Sequence, residues 1–212
     1  MLRISQKEID LENSEILYNT PFTAESLERD WDVRGGDGIW KVVDGWLDGV
    51  DDSNHGALVY SKFDHPGDIV MEFTGKTVGT CDNDLNFSFC TEGWNFEKND
   101  AARGYIAGLG GWWDNKTGIE HYPQLNPWAA TGAFKLEAEK EYHIITGNIG
   151  FHSFIFVDGV LVVELFDPIR DEFDGLGRIG LGAYHGHVRF KDLKVYRPSW
   201  KAISCRYEGK VE

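Results

Sequence analysis

Adjacent tryptophans, Trp112 and Trp113, stand shortly before the triplet Glu120, His121 and Tyr122, and Trp128 closes the same Gly/Pro/Asn-rich stretch. These residue types suit carbohydrate. Sugar C–H faces stack on aromatic rings, and hydroxyls need paired polar groups. Histidine titrates nearest neutrality and a carboxyl can be tuned upward, so both can move protons at a glycosidic bond. The candidate acid–base groups are Glu120, His152, His185 and Tyr105. The candidate saccharide contacts are Asp84, Asn86, Trp94, Arg103, Trp112, Trp113, His121 and Tyr122. Trp112 and Trp113 also read as a strand end with one ring in the core and one outside. Glu92 and Glu120 could form a carboxylate pair. His152 reads equally well as a sheet-surface histidine.

Metal chemistry has weaker support. His185 and His187 would share a face on a strand, but Gly186 between them suggests a turn, and no third zinc ligand suggests itself. The acidic loops Val50–Asn54 and Cys81–Asp84 offer oxygen ligands without matching a calcium pattern. No cofactor is expected, a structural calcium ion excepted. Serine-nucleophile motifs, phosphate loops and dinucleotide fingerprints are absent.

Composition narrows the partners. The 212 residues carry a net charge of −14, which opposes nucleic acid and anionic membrane surfaces because both need a basic footprint. No apolar run approaches membrane-span length. Eight tryptophans and 14% aromatic residues are a surplus, and surplus tryptophan often sits on binding faces because its N–H needs a partner. The three cysteines, Cys81, Cys90 and Cys205, form no disulfide framework and fit a reducing compartment. The polar N-terminus lacks the apolar centre of a signal peptide. A cytoplasmic location is the expectation.

The elements that must position these residues read as strands almost throughout. Ile39–Leu47 (IWKVVDGWL) has Asp44-Gly45 between two apolar arms, a hairpin signal that recurs at Asp158-Gly159. Strands are expected at 57–63, 68–77, 84–90, 105–111, 142–149, 151–157, 160–166, 178–183 and 188–196. In 84–90, Leu85, Phe87 and Phe89 should face the core, with Asp84, Asn86, Ser88 and Cys90 opposite. In 68–77, Ile69, Met71 and Phe73 alternate against Asp68, Val70 and Glu72. One short helix is expected at 23–30, with Thr23 as cap and little from Ser26. The stretch 108–128 reads as one loop, overlapping the end of the glycine-rich 105–111. Many short strands without a helical layer give an all-β antiparallel sandwich. One domain over 1–212 is expected, with 1–15 peripheral and 198–212 a C-terminal extension.

Three segments resemble known sandwiches. Gly177–Arg197 (GRIGLGAYHGHVRFKDLKVYR) resembles the closing strands of concanavalin A-like domains, close to 3-keto-disaccharide hydrolase-like domains. The FVDGVLV hairpin from Phe156 and Gly38–Gly49 (GIWKVVDGWLDG) resemble hairpins of the same domains. Asn86–Trp113 is similar to the YesU-type single-domain sandwiches. The resemblance implies a concanavalin A-like jelly roll of two antiparallel sheets with a carbohydrate site on its concave sheet. It also makes His185, in the His-Gly turn, the better single histidine. The Glu-x-Asp-x-x-Glu strand of family 16 glucanases is absent, as are alginate-lyase strand motifs. The expected function is cleavage or modification of an oligosaccharide or keto-glycoside, as a glycoside hydrolase or polysaccharide lyase. The alternative is a lectin-like module without turnover. A third reading packs the tryptophans against a partner chain, as in a homodimer.

Overall fold

A computed structural model describes residues 1–36, 39–52, 56–124, 128–169, 173 and 175–203. Asn54 of the first acidic loop and Cys205 lie outside the described residues. In chain order the elements are Leu2–Ile4 (β1), Lys7–Tyr18 (β2), Ala24–Asp30 (α1), Trp31–Gly36 (β3), Ile39–Val43 (β4), Trp46–Val50 (β5) and Ala57–Ser61 (β6). Ile69–Thr77 (β7), Leu85–Thr91 (β8), Trp94–Asn95 (β9), Asp100–Ala101 (β10), Gly104–Trp112 (β11), Lys116–Tyr122 (β12) and Trp128–Thr131 (β13) follow. Tyr142–Ile149 (β14), His152–Val157 (β15), Val160–Phe166 (β16), Arg178–Ala183 (β17) and His187–Ala202 (β18) complete them.

The larger sheet runs β1-β2-β18-β7-β14-β15-β16, and the β4–β5 hairpin joins it through β5 against β18. The smaller runs β13-β12-β11-β8-β17-β6-β3. Neighbours pair antiparallel, as in β8–β11, β8–β17 and β7–β14. The inner faces of both sheets supply one apolar cluster, with Met71, Phe73 and Ile144 from the larger sheet and Leu85, Phe87, Phe89 and Leu181 from the smaller. This is the expected all-β sandwich.

Alternation explains the smaller sheet until Cys90. Leu85, Phe87 and Phe89 are buried in the core. Cys90 was expected opposite them, with Asn86 and Ser88. Instead its φ is +47° and the β8–β17 register slips between Arg178 and Ile179. That irregularity turns the thiol into the core, where burial pushes its pKa up to about 12, so it is not a ready nucleophile.

Turn chemistry closes the hairpins. Asp44-Gly45 and Asp158-Gly159 take positive φ at both positions, the geometry that matches strand twist. The stretch 108–128 is not one loop: 104–122 is a hairpin of β11 and β12, turning at Asp114 and Asn115, both with positive φ. The helix has more cap than expected. Ser26 N donates to Thr23 Oγ1 at 3.0 Å, and Thr23 N donates back to Ser26 Oγ at 2.9 Å, a reciprocal capping box.

The first residues form the edge of the larger sheet. Strand β18 pairs with β7 on one side and with two strands on the other: His187–Phe190 pair with β5, and Val195–Ala202 pair with β2. Ile4 and Ile9 join Val70, Ile145, Ile149, Phe154, Phe156 and Tyr196 in a second apolar cluster. Val70 is therefore covered on what reads as a polar face. Ser5 ties the β1 end to β16 through its backbone N–H, 3.0 Å from Glu164 Oε2, and its hydroxyl, 2.5 Å from Oε1.

Candidate functional site

The outer face of the smaller sheet carries a cleft of about 320 Å³. Strand parity builds it. Glu120 lies opposite Ile106, which lies opposite Ser88, which lies opposite Gly180. The next row is Gly118, Gly108, Asn86 and Gly182. Side chains two residues apart share a face, so Glu120 and Tyr122 point outward and His121 between them points inward. The hairpin β9–β10 adds Trp94 and Asp100, and Tyr184 lines the cleft after β17.

Glycines make room for the polar side chains. A Cβ on Gly108 would stand 2.2 Å from Asn86 Oδ1, and one on Gly111 would stand 2.8 Å from it. Asn86 therefore rests on a floor with no side chains beneath it. The Trp112 ring covers Gly118 in the same way, 3.3 Å from that residue's Cβ position. The register slips between Gly108 and Trp112, and such an irregularity re-aims a side chain next to a site.

Two carboxyls of the cleft are held by neutral donors. The Trp112 indole N–H donates to Glu120 Oε2 at 3.0 Å. Burial raises the Glu120 pKa, and this N–H only partly offsets it. Asp84 accepts from Asn83 Nδ2 at 2.7 Å and from Asn86 Nδ2 at 3.2 Å. Burial outweighs those bonds and pushes Asp84 up to about 6. A third carboxyl, Asp100, accepts from the Tyr122 hydroxyl at 2.5 Å. Burial and that bond raise the tyrosine above its ordinary range.

Two polar atoms lining the cleft have no partner: Asn86 Oδ1 and Trp94 Nε1. A buried polar atom without a partner costs about 1–3 kcal/mol, so each calls for an explanation. Asn86 Oδ1 lies over the Gly108 and Gly111 backbone, so a ligand meets either atom only if its side chain turns toward the cleft.

Glu120 and Asp84 do not form a tight pair. Asp84 N–H donates to Gly110 O, whereas Glu120 lies opposite Ile106. Two strand spacings sideways and four residues along put the two backbones roughly 16 Å apart. Glu92 does not replace Asp84 as a partner. It is ion-paired with Arg103, and that bond lowers its pKa.

Of the residues singled out in the sequence, Asp84, Asn86, Trp94, Trp112, Glu120 and Tyr122 line the cleft together. Trp113 stands at its margin, 55% exposed, edge-on to Trp128 at 4.8 Å. Trp128 lies opposite Glu120 on β13. His185 is exposed beside Tyr184, close enough for its charge to act on Asp84. Arg103 holds Glu92 outside the lining.

Three candidates lie elsewhere. Tyr105 and His121 face the interior, because they occupy the inward parity of β11 and β12. The Tyr105 hydroxyl donates to Asp167 Oδ2 at 2.6 Å, and His121 Nδ1 lies 2.7 Å from the same oxygen. Phe173 stacks on the His121 ring at 3.9 Å. Burial and the Asp167 bond push the Tyr105 pKa up, so it is a structural donor. His152 sits on β15 of the other sheet, Nε2 3.0 Å from Glu164 Oε2, and burial lowers its pKa.

His185 and His187 do not converge: His187 Nε2 lies 3.0 Å from Asp48 Oδ2. Among the described residues no three His, Cys, Asp or Glu side chains gather as a metal site. The sequence reading missed Asp100, Leu58, Ile106 and Tyr184. Ile106 was legible from parity with Glu120, but Asp100 arrives on a two-residue strand with no pattern of its own.

No family model matches the chain, and no curated protein matches it. Solved structures do. A Bacillus subtilis protein of unknown function with a galectin-like fold is 14% identical, with 88% of this chain and 98% of that one covered at a TM-score of 0.68. The carbohydrate-binding module CBM66 from Bacillus subtilis is 17% identical, covering 78% and 94% at 0.57. The Bacillus licheniformis β-glucanase is 12% identical, covering 87% and 98% at 0.56. At these identities the likeness is one of fold, and the chain has the concanavalin A-like, galectin-like jelly-roll sandwich.

Proposed function

We propose that the cleft over the smaller sheet holds an oligosaccharide. The carboxyl groups of Asp84, Asp100 and Glu120 carry this reading. They sit among the rings of Trp94, Trp112, Tyr122 and Tyr184, and a sugar offers both apolar C–H faces and hydroxyls that donate and accept. The fold neighbours named as a carbohydrate-binding module and a β-glucanase support it by analogy of fold. Calorimetric titration with neutral oligosaccharides tests it. Binding should weaken by about tenfold or more in Trp112→Ala, a loss of about 1.4 kcal/mol. A wild-type protein that binds no saccharide rejects the reading.

A second reading adds turnover, and the raised Glu120 carboxyl favours it. A carboxyl whose pKa burial raises is better suited to donate a proton to a leaving oxygen. Glu120 would work as a lone acid, or with water placed by another group. Mass spectrometry of products discriminates the outcomes: cleavage with gain of water is hydrolysis, and cleavage without it is elimination. Glu120→Gln should abolish either. Binding with no product of any mass leaves a lectin-like module.

A further inference from the structure

Resting on the reading of the cleft as a saccharide site, we propose that it selects a sugar bearing a free amino group over its neutral and acidic counterparts.

Hydrogen-bond polarity is the first ground. The cleft is lined by acceptors, the carboxyl groups of Asp84, Asp100 and Glu120. Asn86 Nδ2 already donates to Asp84, and its Oδ1 is buried over Gly108. The partnerless donor on the lining is Trp94 Nε1. An ammonium group brings three donors and no acceptor, and a uronate carboxylate brings acceptors alone. The first completes this lining, and the second leaves its acceptors unmet.

Charge is the second, independent ground. Among the described residues no lysine or arginine lines the cleft. Glu120 responds to burial, which raises its pKa, and to the Trp112 N–H. The cations nearby are committed or displaced. Lys116 lies over the Trp113 ring at 5.0 Å, and Arg103 is paired with Glu92. The Arg178 guanidinium lies beside Gly93, outside the lining. His185 is the basic group that acts on Asp84. An uncompensated carboxylate out of bulk water attracts a cation more strongly than a surface one does and repels an anion to the same degree.

The test compares three β-1,4-linked or comparable tetramers by calorimetry at neutral pH: glucosamine tetramer, cellotetraose and tetragalacturonate. The glucosamine tetramer should bind at least about tenfold tighter than cellotetraose, with tetragalacturonate weakest. In Glu120→Gln and Asp84→Asn the ratio between the first two should fall toward one. Equal affinity for glucosamine tetramer and cellotetraose, or a preference for tetragalacturonate, overturns the amino-sugar inference while the cleft remains a sugar site. Failure of all three to bind overturns the saccharide reading itself. Tetralysine serves as a control for plain attraction to an acidic chain. If it competes as well as the glucosamine tetramer, the selectivity is not for a sugar and the inference fails.

Discussion

The Trp112 indole N–H meets Glu120 Oε2 at 3.0 Å within one hairpin, so a single side chain both walls the cleft and sets the charge of its acid. Burial favours the protonated carboxyl, and this donor favours the ionised one. Trp112→Phe keeps a ring and removes the donor. The Glu120 pKa should then rise further, read by NMR titration of the labelled carboxyl carbon. An unchanged value would mean that the N–H is no counterweight and that burial alone sets the group.

Asp84 ties stability to pH with a definite sign. Its pKa is raised from 3.8 to about 6 in the folded chain. The folded state therefore holds its proton over a range where the unfolded state has lost it. Stability is larger below that window and falls as pH climbs through it. The full gap is worth up to about 3 kcal/mol. Urea unfolding of Asp84→Asn from pH 4 to pH 7 should show a shallower decline than the parent. A parallel decline in both proteins would assign the slope to other groups.

Much of this arrangement was legible because strands declare themselves in two ways. Leu85, Phe87 and Phe89 alternate with Asn86 and Ser88, and Asp-Gly pairs mark the tightest turns. The β2 strand was hidden because charged and polar residues interrupt its apolar alternation, and Lys7 and Glu8 are nonetheless buried in it. Cys90 escaped because one irregularity reverses parity, and no residue type announces it. The candidate site divided by the same rule. Glu120 and Tyr122 share a face and His121 does not, so a strict reading of parity would have separated them. Tyr105 and His152 were picked for residue type, and type is silent about which side of a sheet a group occupies.

The inward triad of Tyr105, His121 and Asp167 should prove to be a brace rather than a catalyst. Asp167 is fully buried and also accepts from Ile169 N at 2.8 Å. It thus fixes the segment after β16 against the smaller sheet. Tyr105→Phe removes a hydrogen bond to a charged group and should cost about 1.5–3 kcal/mol of stability. Asp167→Ala should cost about 3–5 kcal/mol, because it strips a buried cluster of its acceptor. Chemical denaturation gives both values. Saccharide affinity of the folded Tyr105→Phe protein should match the parent, and a selective loss of affinity or turnover at full stability would restore a functional role to this tyrosine.

The glycine floor can be tested by adding one carbon. In Gly108→Ala the new Cβ would stand 2.2 Å from Asn86 Oδ1 and 2.9 Å from the Leu85 carbonyl oxygen. The second contact is backbone of the neighbouring strand, so rotation of a side chain cannot relieve it. Strands β8 and β11 must move apart, or Asn86 must lift into the cleft. Overpacking of this kind costs about 1–3 kcal/mol, and displacement of Asn86 should abolish binding. Gly132→Ala is the matched control, since no atom lies within 4 Å of its Cβ position. Melting temperature and oligosaccharide affinity should both fall in Gly108→Ala and stay near the parent values in Gly132→Ala. Full affinity in Gly108→Ala would mean that Asn86 and the bare floor beneath it take no part in holding the ligand.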